Sequence, residues 1–159
     1  MNLEPSTQLK LFGHKENFNH LANLFSKANL PSKIILSGPE GIGKSTFAYH
    51  FINYSLSIDE SDAYDIDKNE IFSTNKSFNL LNNKTHPNFF SVDLIEAKKN
   101  IEISQIRSMI EYTNKSSFNN KPRFILINNI EFLNINSANA LLKVLEEPNK
   151  GVFFILIHN

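Results

Sequence analysis

Apolar residues along this chain follow two spacings that alternate. Over residues 16–28 they fall at Phe18, Leu21, Ala22, Leu24 and Phe25, the spacing of a single helix face. Asn29, Leu30 and Pro31 break that pattern. Residues 33–37 are a short apolar run with the length of a buried parallel strand. Residues 44–56 predict a helix with Phe47, Ala48, Phe51 and Ile52 inward. After a weakly patterned stretch, 57–85, a strand is predicted over 87–94 and a helix over 103–116, with Ile103, Ile106, Met109, Ile110 and Thr113 on one face. Residues 122–128 are almost wholly apolar and predict a strand buried on both sides. Asn136 or Ser137 is the expected cap of a helix running to Glu147, with Ala138, Leu141, Leu142 and Leu145 inward and Pro148 as its stop. A last strand occupies 151–157. Alternating strands and helices predict an α/β domain: a parallel sheet with helices on both faces.

Composition narrows the chemistry. Lys and Arg number 16 and Asp and Glu 16, so net charge is zero, which excludes a uniformly basic nucleic-acid coat and leaves room for a local patch. There are no cysteines, hence no disulfides, thiol chemistry or cysteine-bound zinc. The longest apolar runs, 124–127 and 152–157, are far short of the roughly 20 residues of a membrane span. The N-terminus, with Glu4, Lys10 and His14, lacks the pattern of a signal peptide. The expectation is a cytoplasmic protein with no membrane partner. The 23 Asn, 18 Ile and 14 Lys against 2 Arg suggest an AT-rich gene, in which Asn can stand where an Asp once did.

Glycine is scarce, yet three of the five glycines lie within six residues, in Gly38-Pro39-Glu40-Gly41-Ile42-Gly43-Lys44-Ser45-Thr46. This fits G-x-x-x-x-G-K-[ST], which the chain's own composition would produce by chance about once in six hundred such chains. Each position has a mechanical role. Successive backbone N–H groups turn inward on phosphate oxygens, which needs the freedom of glycine. The helix beginning near Lys44 aims its positive end at the same phosphates. The Lys44 ammonium would bridge the β and γ phosphates, and the Ser45 hydroxyl would ligate Mg²⁺. ATP with Mg²⁺ is therefore the candidate cofactor. Hydrolysis also needs an acid at the end of a neighbouring apolar strand, to hold Mg²⁺ and to activate water. The strand at 124–127 ends instead in Asn128 and Asn129, neutral amides and poor bases. Glu131, three residues past Asn128, is the nearest substitute. Negligible ATP hydrolysis is expected.

Taken together, Leu11-Phe12-Gly13-His14, the phosphate loop, His86-Pro87-Asn88, Ile103-Ser104-Gln105-Ile106-Arg107 and the string from Ala138 to Pro148 resemble bacterial DNA polymerase III clamp-loader subunits of the AAA+ class. The likeness is to the delta-prime type, with gamma/tau a close second, and the run from Ser37 to Lys44 leans toward delta-prime. The resemblance implies a P-loop NTPase sheet truncated after its fourth strand, the lid and collar domains lying beyond residue 159. It implies a stator within a ring, with gamma/tau and delta subunits, the sliding clamp and primed DNA as partners. By the same resemblance Leu11, Phe12 and Gly13 fall where the family contacts adenine. Asn128 and Asn129 fall at the acidic strand end, here degenerate, and His158 or Asn159 falls near a polar sensor. The family's four-cysteine zinc module has no counterpart in 57–85, so no zinc is carried over. Without a fifth strand, residues 33–37 would form an exposed apolar edge.

Two other functions are weighed against a stator: an active gamma-type ATPase, which the amide pair disfavours, and a small P-loop kinase, which would need several arginines where this chain has Arg107 and Arg123. Arg107 is also a candidate contact to DNA phosphate. His86 reads as a capping residue. The six acids among Asp59, Glu60, Asp62, Asp65, Asp67 and Glu70 read as solvated surface, with a divalent-cation site as the sharper alternative.

Overall fold

A computed structural model describes residues 3–159. Its contacts fall into two compact units, one running to Pro31 and resuming over Gly43–Pro87, the other made of Ser32–Ile42 and Asn88–Asn159.

The first unit holds helices α1 (Lys15–Ser26), α2 (Lys44–Leu56) and α3 (Lys76–Asn82). Its core is aromatic. Phe18 is fully buried and meets Phe47, Phe51, Tyr54 and Tyr64 with ring centroids 5.2 to 6.1 Å apart. Such pairs add about 0.5–1.5 kcal/mol each beyond the area they bury. Helix α2 is buried around most of its circumference, including His50 and Asn53; a helix apolar on every side belongs in a core.

Residues 57–85, expected to be a solvated loop or short surface helix, are better ordered than that. Asn75 is wholly buried, accepts from Asn53 Nδ2 at 2.9 Å and donates to the Asp62 carbonyl at 2.7 Å. It also caps α3 through Phe78 N–H. Tyr64, Ile71 and Leu81 are buried as well. Hydrophobic periodicity misses such a segment because its buried apolar residues are isolated and a buried amide pair joins it to α2.

The second unit is a four-stranded, fully parallel sheet of β1 (Lys33–Ser37), β2 (Phe89–Val92), β3 (Arg123–Ile127) and β4 (Val152–His158), in the order β1-β4-β3-β2. All five residues of β3 are buried, as its apolar run requires. Helices α4 (Ile103–Asn114) and α5 (Ile135–Glu146) connect β2 to β3 and β3 to β4. Ile106 and Met109 from α4 and Leu141 from α5 pack with Val92, Ile125, Ile127, Phe154 and Leu156 from one sheet face. Complete burial of such a side chain contributes about 1.5–3 kcal/mol.

Two expectations change. The cap of α5 is Asn134, which accepts from Ser137 N–H at 2.8 Å, and not Asn136 or Ser137. Ser137 is buried one turn in, its hydroxyl donating to the Ile101 carbonyl. Leu142 points outward, 55% exposed, because the inward stripe of α5 is narrower than the apolar pattern. The edge position expected for residues 33–37 is the one observed: β1 is an edge strand in the described sheet, with Ile35 63% exposed.

Candidate functional site

The loop after β1 turns sharply. Gly41 and Gly43 have φ of +82° and +92°, in the left-handed region where a Cβ is strained, and a Cβ at either would meet nothing within 4 Å. Gly43 is the N-cap of α2, its carbonyl accepting from Phe47 N–H at 2.8 Å. Lys44 is buried and Ser45 and Thr46 are half-buried at the start of that helix, while Pro39 and Glu40 are exposed. An open turn with left-handed glycines, followed at once by a helix N-terminus, fits a phosphate group.

Just before α1, Leu11 is buried and its N–H donates to the Asn69 carbonyl at 2.9 Å. Phe12 is 77% exposed with the Lys10 ammonium 5.8 Å from its ring centre. Gly13 and His14 both have positive φ, and the His14 ring meets Phe47, in the first turn of α2, edge-on at 6.1 Å. Of the three residues expected at adenine, Phe12 alone offers an exposed ring.

The second grouping lies at the carboxyl ends of β2, β3 and β4, where ligands of parallel α/β sheets commonly bind. Asn128 Nδ2 donates to Asp93 Oδ2 at 3.2 Å and Asn129 Nδ2 to Asp93 Oδ1 at 2.7 Å. Asn159 Nδ2 donates to Asn129 Oδ1 at 2.7 Å and to Glu131 Oε1 at 3.3 Å. The Asn159 N–H reaches Glu131 Oε2 at 3.4 Å. Slight desolvation pushes the Glu131 carboxyl up, but hydrogen bonds from its own backbone and from Asn159, with the charge of His158, hold it below its usual value. Ser37 and His158, the last residues of β1 and β4, lie side by side with Oγ and Nδ1 3.5 Å apart. Asp93 is the residue that sequence reasoning missed. Its signal was present: an acid directly after an apolar parallel strand.

Other candidates have local partners. Asp62 accepts from Thr74, Glu60 from Ser77, Asp65 closes its own turn, and Glu70 pairs with Lys10 at 2.6 Å. Among the described residues, no three His, Asp or Glu side chains gather to hold a metal ion. His86 is buried, with Nε2 3.2 Å from Ser77 Oγ. Arg123 is buried and donates to the Tyr112, Thr113 and Lys115 carbonyls at the end of α4. Arg107 lines a groove of about 600 Å³ between α4 and α5, together with Lys143. No helix of the described residues is long and apolar enough to cross a membrane.

Comparison with known proteins gives a consistent result. The family described as DNA polymerase III, delta subunit, matches residues 13–159. The chain is 31% identical over 136 residues to the DNA polymerase III subunit delta' of Pseudomonas aeruginosa, covering 86% of this chain and 40% of that protein. It is 32% identical over 154 residues to the DNA polymerase III subunit gamma of Buchnera aphidicola subsp. Schizaphis graminum, covering 96% and 39%. In fold it is similar to a DNA polymerase III gamma subunit-related protein of Thermotoga maritima, with a TM-score of 0.53 at 17% identity over 87% of this chain and 39% of that one. It is likewise similar to PCH-2 of C. elegans, with a TM-score of 0.51 at 18% identity over 95% and 39%. The chain thus spans about two-fifths of the length of these relatives.

Proposed function

This chain belongs to the DNA polymerase III delta-subunit family and has an AAA+ α/β fold, and from that premise we propose that it serves as a delta-prime-like stator of a clamp loader, binding ATP weakly or not at all and not hydrolysing it. The observation that carries this reading is the end of β3. There Asn128 and Asn129 direct their amide groups at Asp93. Neither supplies the negative charge that a catalytic Mg²⁺ needs, nor the basicity that an attacking water needs. Glu131, the nearest acid past the strand, accepts from Asn159.

On this reading the turn around Gly41 and Gly43 holds phosphate, with Lys44 and Ser45 as the side chains for a triphosphate and its Mg²⁺. Bound, that ion would neutralise phosphate charge. Gamma/tau and delta subunits, the sliding clamp and primed DNA are the partners, in the cytoplasm, with Arg107 and Lys143 as candidate phosphate contacts in the α4–α5 groove. The kinase alternative loses support, because Arg123 is committed to three helix-end carbonyls.

The test is ATP turnover by the full chain, alone and with clamp-loader partners, clamp and primed DNA. The chain's own contribution should stay at background and be unchanged by Lys44→Ala. Turnover comparable to an active P-loop ATPase, abolished by Lys44→Ala in this subunit, would overturn the proposal.

A further inference from the structure

β2 and β3 end side by side, with Val92 opposite Ile127, while β4 passes Ile127 at Leu156 and runs two residues farther to His158. Just past them the polar groups form a directional chain. The Asp93 carboxylate accepts from both asparagine amides of β3's end, and its Oδ1 also takes the N–H of Leu94 at 2.7 Å. Asn129 gives its NH₂ to Asp93 and offers its carbonyl to Asn159. Asn159 gives its NH₂ onward to Glu131. A carboxylate accepts only, whereas an amide both donates and accepts. The sequence acid–amide–amide–acid is therefore satisfied at every link, and an acid at either middle position would break it. Asn129 sits at a φ of +55°, a left-handed conformation that Asn tolerates better than most residues.

The geometry points to Asp93 as a positioning residue: it makes the amide pair at Asn128 and Asn129 obligatory and clasps the ends of β2, β3 and β4 into one arrangement. The inference rests on the stator reading and deepens it. The amides at the strand end answer an acid just past β2, so an acid at Asn128 or at Asn129 places two carboxylates within hydrogen-bond distance. Such a pair repels and takes up a shared proton. Ionisable groups on the elements linked to it include Glu131, which accepts from Asn159, His158 at the end of β4, and Glu102, paired with Lys98, at the N-cap of α4, the helix whose Gln105 donates to the Asp93 carbonyl.

The experiment is a charge exchange in the full chain, read by thermal melting at pH 8 and pH 6. Asn129→Asp should lower the midpoint by about 5 °C at pH 8. Its gap to the wild type should narrow at pH 6, as the carboxylate pair becomes protonated. Asp93→Asn should also destabilise, and the exchanged double variant Asp93→Asn/Asn129→Asp should recover most of the loss and all of the pH effect. An Asn129→Asp protein that melts with the wild type would overturn the clasp, as would a double variant whose loss is the sum of the singles. Should Asn129→Asp fail to fold, a folded double variant supports the clasp and an unfolded one refutes it. Asn128→Asp/Asn129→Glu should remain without ATPase, and turnover removed by Lys44→Ala would refute the claim that acids cannot be restored here. Turnover by the unaltered chain would defeat the stator reading and leave the melting results to judge the clasp by themselves.

Discussion

At the scale of the residue, His50 shows how burial sets the state of a titratable group. Its Nε2 lies 3.0 Å from the Gln8 carbonyl, which only accepts, so Nε2 carries the proton and Nδ1 accepts from the Tyr64 hydroxyl at 3.0 Å. Burial pushes the imidazole down to about 4, against a smaller upward pull from the Gln8 carbonyl, and burial pushes the Tyr64 phenol well up. The folded protein therefore keeps His50 neutral where the unfolded chain would protonate it. Stability from this group is complete above the ordinary histidine pKa of 6.5 and is lost as pH falls toward 4. Denaturant unfolding should show a loss approaching about 1.4 kcal/mol per pH unit in that window. His50→Leu should flatten the slope, while costing about 1–3 kcal/mol at neutral pH for the Gln8 and Tyr64 groups left unpaired. An unchanged slope would show that another group carries the acid sensitivity.

Elements in this chain are finished by specific polar side chains. Arg123 closes α4 by donating to the carbonyls of Tyr112, Thr113 and the capping residue Lys115, a fork that lysine's single ammonium does not reproduce. Its guanidinium also lies 5.6 Å from the Tyr112 ring, whose phenol is raised to about 12, mainly by burial and against the pull of that charge. The segment between α2 and β2 depends in the same way on Asn75. Replacing it with alanine strands Asn53, the Asp62 carbonyl and Phe78 N–H in one step. Asn75→Ala should cost about 3 kcal/mol in urea unfolding. It should also raise hydrogen exchange across α3 ahead of the sheet. A loss under about 1 kcal/mol, the worth of an ordinary helix cap, would mean that the network adds nothing beyond the cap.

For the whole molecule, the exposed side of β1 matters most. Ile35 stands uncovered on a strand whose hydrogen-bonding partner, among the described strands, is β4 alone. A flat apolar edge templates pairing with another chain. The 159-residue chain should associate as concentration rises in light scattering, and Ile35→Lys should reduce that association; a monodisperse monomer throughout would count against the edge as its cause. Much of this fold was legible beforehand. β1 and α2 begin and end where apolar spacing places them, since strand and helix periods are properties of the local backbone. The glycine turn was equally plain, because positive φ selects glycine one residue at a time. Three features were not legible: Asn134 as the cap of α5, the buried amides of 57–85, and the commitment of Asn128 and Asn129 to Asp93. The sequence alone determined that β3 ends in amides rather than acids. That those amides answer an acid just past β2, 35 and 36 residues away, was decided only by parallel strands bringing distant ends together, because a hydrogen bond depends on separation in space and not along the chain.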